Sequence, residues 1–382
     1  MTSRLAPSRL VVLARPARLG LSALLSFALI TLPLNAARAC TSILLPAQDG
    51  GFVYGRTLEF GLQMNSQLMI VPRDLTITAT GPDGNLGQGG LRWTTKYAAT
   101  GANALGLPVL LDGINERGLT GGLFNFPGFA EFQTVPPGKA NQSIASFELL
   151  TYILTNFATV DEVKAALPNI YVSGVRLKQF GDMVPPVHVS IHDAGGKSLA
   201  VEYTDGGKLS MYDNPARVFT NSPPFPFHLQ NLAQYQYVTA NVLPPLKVGN
   251  VALSAASSGD GMNGLPGGFL APARFVRAYF AQASAPKLPT SNATVLLAFH
   301  IMNGFDLPPG SIGVSATTGG EGGGIDGYET TEWIAVADMK NLRYYIRTYD
   351  NMDIRVIDST RPTWTPSRSN PSRSTSRKRC KI

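Results

Sequence analysis

A cysteine that stands first in a chain carries a thiol and a free α-amino group on one residue. Cys40 is placed to become such a cysteine, because it directly follows Ala37-Arg38-Ala39, with small residues at the −3 and −1 positions a signal peptidase accepts. The amine has an ordinary pKa of about 7.7–8.0 and the thiol about 8.5, so near neutrality the amine can take the thiol proton. One residue then supplies both nucleophile and base, the cysteine counterpart of the threonine and N-terminal amine pair. Two other readings stay open at this point. Cys40 is a lipid-anchored terminal cysteine, although Ala37 and Arg38 fit a lipobox poorly, or it is a passive buried thiol.

The next residues supply charge at the right spacing. Thr41–Ala47 and Phe52–Thr57 alternate as strands around Gln48-Asp49-Gly50-Gly51, a tight-turn sequence. That hairpin carries Arg56 back beside Cys40, where a guanidinium favours the thiolate and cannot itself be discharged. Glu59 is expected just past the strand, with a carboxylate able to hold the α-amino group. Taken alone, Arg56 and Glu59 also read as an ion pair at a strand end.

The chain that must position these groups has 382 residues, 44% of them apolar and 15% charged. That is enough apolar material for a large core and excludes global disorder. Two cysteines and four histidines exclude a disulfide-dense scaffold and leave little for metal chemistry. The net charge of +7 is confined to the ends: twelve of the 32 basic residues and no acid lie in 1–39 and 361–382, leaving 20 bases against 25 acids between. The body therefore asks for no nucleic acid. Residues 1–39 read as a signal peptide: four arginines, the apolar run Gly20–Leu32, then Pro33 and the cleavage site. A 13-residue run spans about 20 Å as a helix against roughly 30 Å of hydrocarbon, so no membrane span is expected and export to the periplasm or beyond is.

Cys40-Thr41-Ser42 with Gly55-Arg56-Thr57-Leu58-Glu59 resembles the start of the choloylglycine hydrolase and penicillin V acylase family of N-terminal-nucleophile hydrolases. Further matching pieces follow in order: Ile70-Val71-Pro72-Arg73, Thr94-Thr95-Lys96-Tyr97, Asp112–Leu119, Asn125-Phe126-Pro127, Thr220-Asn221-Ser222-Pro223, Gly264-Leu265-Pro266-Gly267 and Pro272-Ala273-Arg274-Phe275. The likeness covers residues 40–358. It implies that Cys40 is the nucleophile, that Arg56 sits against the thiol, and that Asn125 and Asn221 form the oxyanion hole. It also implies that Arg274 completes the charge network and that the protein is a homo-oligomer, a dimer or tetramer. The family's amine-holding carboxylate is usually aspartate. Glu59 departs from this by one methylene, about 1.5 Å of reach. The implied fold is α+β, a four-layer αββα sandwich of two antiparallel sheets. The implied reaction is cofactor-free cleavage of a small-molecule linear amide. Conjugated bile salts come first, because asparagine at position 125 accompanies bile-salt cleavage in the family. Penicillin V or N-acyl homoserine lactones are the alternative, and a non-catalytic lipoprotein of the same fold is the reading from another class.

The remaining elements agree with that fold. Val187, Val189 and Ile191 alternate with His188, Ser190 and His192 as a half-buried strand, and Ser198–Thr204 returns beside it. Helical spacing covers Ile144–Phe157, and Thr159 with Glu162 makes a capping box for Val160–Leu167. Pro272 opens a helix over Ala273–Ala283, Asn292–Asn303 forms another, and Trp333–Asp338 with Leu342–Tyr349 makes a hairpin. His188 and His192 lie about 13 Å apart along a strand, too far to share a metal. Gly322–Gly327 has the dinucleotide lettering without the strand and helix that motif needs, and reads as a loop. Residues 359–382 read as a basic, unstructured tail in which Cys380 is a free thiol.

Overall fold

The computed structural model describes residues 40–313 and 327–359, together with the backbone of 379–381. By its contacts the chain divides into Met1–Leu34 and Asn35–Ile382, and everything described lies in the second unit. Residues 1–39, most of the Gly322–Gly327 loop and the tail from 360 to 378 fall outside the description, as do the readings placed on them.

Strand β1 (Cys40–Pro46) and strand β2 (Phe52–Phe60) form the expected hairpin. Gly50 takes the positive φ of 78° that its turn requires, and Ala47 N–H closes the turn onto the Gly51 carbonyl at 2.9 Å. Around this hairpin a seven-stranded sheet is built: Val218–Phe219, β1, β2, Tyr328–Asp338, Arg343–Thr348 and Arg355–Asp358 in spatial order, with Ile312–Gly313 beside Tyr328–Asp338. A second sheet of eight strands runs Lys208–Asp213, Ser198–Thr204, Val187–His192, Thr120–Asn125, Asp112–Asn115, Ala99–Ala102, Gln67–Val71 and Arg379–Lys381. Every pairing within these two sheets is antiparallel. Residues 379–381 pair with Gln67–Met69, so these three positions of the basic tail carry a strand where none is expected.

Parity along the strands sorts side chains into layers. From β1, Thr41 and Ile43 face the helices Ala271–Ala283 and Ser291–Asn303, which cover the first sheet. Leu123, Val189, Ile191, Leu199 and Val201 on the second sheet pack with Leu149, Leu150, Ile153 and Val163 of the helices Leu149–Asn156 and Val160–Ala166. Cys40, Ser42 and Arg56 face the other way, into the layer between the sheets. The result is the four-layer αββα sandwich.

Four readings change at this level. Glu59 lies inside β2, paired with Thr331, because β2 continues to Phe60. The helix expected from Ile144 begins at Leu149. Ser143–Ala145 is instead a strand parallel to Tyr171–Ser173, and the Glu148 carboxylate accepts the Ala145 and Thr80 N–H groups. Val187–His192 is buried on both faces apart from Val187 itself, since it has a helical layer on one side and the first sheet on the other. Thr159 caps its helix through Glu162 N–H at 3.2 Å, while the Glu162 carboxylate reaches Ala158 N–H in place of the N-cap amide.

Candidate active site

Cys40 is 1% exposed, and its sulfur lies 3.8 Å from Arg56 Nη2. The register explains the approach: Cys40 pairs with Leu58 and Ser42 with Arg56, so thiol and guanidinium leave the same face of one hairpin. Arg56 is fixed from the second sheet. It donates to the carbonyls of Leu111, at 2.9 Å, and Leu123, and pairs with Asp112 Oδ2 at 3.3 Å. The Phe124 ring lies 4.3 Å beneath it. Asp112 in turn accepts the hydroxyls of Tyr54 at 3.0 Å and Tyr344 at 2.8 Å. Burial works against the Arg56 charge, but Cys40 and Asp112 outweigh it and the pKa is raised. Burial also dominates at the thiol, pushing Cys40 up although Arg56 pulls it down. The resting group is therefore a thiol with a cation beside it, ready to stabilise a thiolate when the proton leaves.

Asn221 and Arg274 surround the backbone nitrogen of Cys40, which belongs to the Ala39–Cys40 peptide in the unprocessed chain. That nitrogen donates to Asn221 Oδ1 at 2.7 Å. Arg274, in the first turn of its helix, donates to the same Oδ1 at 2.8 Å, to Thr41 Oγ1 at 2.8 Å and to the Cys40 carbonyl. Asn221 Nδ2 donates to the Asn125 backbone carbonyl at 2.9 Å. All three contacts of the Asn221 amide thus serve to orient the cysteine and join the two asparagine segments. Asn125 Nδ2 is buried and has no partner among the described residues, so it remains a donor to spare.

Glu59 does not bond the Cys40 nitrogen. Its side chain leaves the opposite face of β2 from Arg56, and Oε1 accepts the Thr331 hydroxyl at 3.3 Å. Thr331 Oγ1 accepts Leu307 N–H at 2.8 Å, which leaves its hydrogen for Glu59. A β-bulge between Thr331 and Trp333 follows directly. Burial raises the Glu59 carboxyl to about 8 against Arg274, Thr57 and Arg56, which oppose it. Asp112, Tyr54, Tyr344 and Thr331 were not singled out by the sequence reading. Asp112 alone had a signal, as the first residue of the Asp-Gly-Ile-Asn-Glu piece.

Beside Cys40 opens a narrow, almost wholly apolar cavity with about 60 Å³ of free space, lined by Arg56, Phe60, Met64, Leu107, Phe180 and Asn125 among others. Cys40 lines it as well, so the thiol, the guanidinium and Asn125 border one cavity.

A two-sheet sandwich covered by helices, with a cysteine opening its first strand beside an arginine, has the architecture of the N-terminal-nucleophile hydrolases. Residues 40–363 match the linear amide C–N hydrolases of the choloylglycine hydrolase family, and the chain belongs to that family. It is 31% identical over 324 residues to the bile salt hydrolase/transferase of Clostridium perfringens, covering 84% of this chain and 92% of that one. It is 25% identical to the penicillin V acylase of Pectobacterium atrosepticum, over 90% and 86% of the two chains. Among solved structures, a conjugated bile acid hydrolase variant from Clostridium perfringens superimposes with a TM-score of 0.69 at 29% identity, covering 84% and 92%. The penicillin V acylase of Agrobacterium tumefaciens shares the fold, with a TM-score of 0.64 at 22% identity over 84% and 86%. No helix among the described residues is long and apolar enough to cross a membrane.

Proposed function

We propose that the chain is exported, loses residues 1–39, and hydrolyses a linear amide with Cys40 as nucleophile and its new α-amino group as base. The observation that carries this is the position of Cys40. It opens β1 with its sulfur beside Arg56, lines an apolar cavity together with Arg56 and Asn125, and the family match begins at the same residue.

The amine takes the thiol proton, and sulfur attacks the amide carbonyl. Arg56 stabilises the thiolate, while Asn221 and Arg274 hold the terminal nitrogen over the sulfur. The oxyanion falls to Asn125 Nδ2, a donor worth roughly 3–4 kcal/mol in such sites. Asn221 acts mainly by orientation, since its amide is already committed three times. The ammonium protonates the leaving amine, and water, deprotonated by the same amine, cleaves the acyl-thioester.

Conjugated bile salts are the first substrate class, supported by relatives bearing that name and by the apolar lining. A second reading, penicillin V or an acyl-homoserine lactone, is supported by the similarity to a penicillin V acylase and by the same apolar lining, which suits an aryl or alkyl acyl group equally. A homo-oligomer is supported by an exposed apolar hairpin, Leu246–Val248 with Val251–Leu253.

The test is release of free amine from glycocholate, taurocholate, penicillin V and a long-chain acyl-homoserine lactone, side by side, on protein whose intact mass starts at unmodified Cys40. Faster release from the two cholates supports the first reading, and preference for either other substrate supports the second. A lipid adduct on Cys40, or no release from any of the four, overturns the proposal.

A further inference from the structure

Behind Asn221 lies a buried pair that the mechanism above does not use. His188 and Glu202, on neighbouring strands of the second sheet, are 2% and 1% exposed. His188 Nδ1 stands 3.1 Å from Glu202 Oε1, and its Nε2 stands 3.0 Å from the Thr220 carbonyl oxygen. Glu202 Oε1 also accepts the N–H of Phe225 at 2.9 Å. Thr220 and Phe225 are the two ends of the short loop that carries Asn221. One carboxylate–imidazole unit therefore grips both ends of that loop. It also reaches the other asparagine segment, since the His188 ring stacks on Phe126 at 4.1 Å with a 5° interplanar angle, one residue from Asn125.

The proton count follows from the partners. A carbonyl oxygen only accepts, so Nε2 must carry a hydrogen. Nδ1 faces a carboxylate oxygen, and a 3.1 Å contact there is a hydrogen bond only if a second hydrogen lies between them. The couple therefore holds one proton more than a neutral imidazole beside an ionised carboxylate would, and its net charge is zero. Burial lowers the His188 pKa, and the neighbouring carboxylate opposes this without reversing it, so the two contacts themselves, and not the basicity of the imidazole, place the second hydrogen between Nδ1 and Oε1. His228, across the loop, donates from Nε2 to the Asn221 carbonyl at 2.8 Å and so holds the same loop.

We propose that the hydrogen-bonded His188–Glu202 couple is a positioning unit for the reaction, fixing the Thr220–Phe225 loop so that Asn221 Oδ1 meets the terminal nitrogen of Cys40. This rests on the N-terminal mechanism proposed above. It gives His188 a role through Asn221 and no contact with substrate.

Two variants and two readouts test it on the mature protein. His188→Phe keeps the ring stack but removes both hydrogen bonds. Glu202→Gln keeps shape, but its amide cannot accept from Phe225 and also supply the shared proton at the same atom. In whichever cleaved amide the wild type prefers, each variant should lose roughly tenfold or more in kcat with KM within about twofold, because orientation is lost and binding is not. Proton NMR of the wild type should show one imidazole N–H signal far downfield, absent from both variants. A folded His188→Phe or Glu202→Gln with wild-type kcat overturns the proposal, as does a wild-type spectrum without that signal. If His188→Phe does not fold, Glu202→Gln carries both readouts. Inactive wild-type protein that still shows the signal would instead condemn the parent mechanism and leave the couple standing as a loop brace.

Discussion

Glu59 lies away from the nitrogen that it is expected to hold. Its carboxylate lies on Thr331, and the Cys40 nitrogen is held by Asn221, whose position Arg274 fixes in turn. With no ammonium at Cys40 in the unprocessed chain, burial raises Glu59 to about 8 from an ordinary 4.5. The sign of the resulting pH dependence follows directly. Below the unfolded pKa both states hold the proton and nothing is lost. Above it the unfolded chain releases the proton while the folded one retains it, so stability falls as pH rises from about 4.5 through about 8. Glu59→Gln cannot ionise. In the unprocessed chain it should therefore match the wild type near pH 4.5 and become the more stable of the two by pH 8–9, read from urea midpoints across that range. Cleavage before Cys40 places an ammonium in the same network and should narrow the gap. Superimposable curves for wild type and Glu59→Gln in the unprocessed chain would show that Glu59 is already ionised there.

At the scale of elements, the hairpin that pairs Cys40 with Arg56 was legible because its information is local. Alternation, a Gly-Gly turn and 16 residues of separation place Arg56 beside Cys40. The helix bearing Arg274 was legible for the same reason, since Pro272 marks its start. The partner of the Cys40 nitrogen was not, because Asn221 lies 181 residues away and no periodicity encodes that contact. Nor did the strand pattern reveal that His188 and Glu202 face an interior, as an alternating strand looks half-buried until a second sheet covers its polar face. Gly122 is a further instance: it reads as one of two adjacent strand glycines, yet a Cβ there would stand 2.3 Å from Arg56 Nη1 and 2.9 Å from Asp112 Oδ2. The guanidinium occupies the space that a side chain would need. Gly122→Ala should therefore displace Arg56 from the thiol. The expected outcome is a loss of roughly tenfold or more in kcat/KM and a rise in the pH at which iodoacetamide labels Cys40. Unchanged labelling and turnover would mean that Arg56 does not govern the thiol.

For the whole molecule, the two sheets and their helices bury the layer that holds Cys40 and Arg56, while among the described residues a short hairpin stays outside that packing. The hairpin Leu246–Val248 and Val251–Leu253 exposes every residue, including Leu246 at 67%, Val248 at 56% and Val251 at 57%, with Val242 at 74% just before it. An isolated two-stranded hairpin is marginal in water, and contiguous apolar exposure of this kind marks a contact surface. The partner proposed for it is a second copy of the chain. Replacing Val248 and Val251 together by lysine puts two charges where an apolar contact would be buried, and should lower the mass measured by sedimentation toward that of a monomer. Amine release should persist in the double variant, because Cys40, Arg56, Asn125, Asn221 and Arg274 all come from one chain and neither valine lines the cavity. A variant that keeps the wild-type mass would remove the hairpin from the interface. A wild type that sediments as a monomer at all concentrations would remove the oligomer itself.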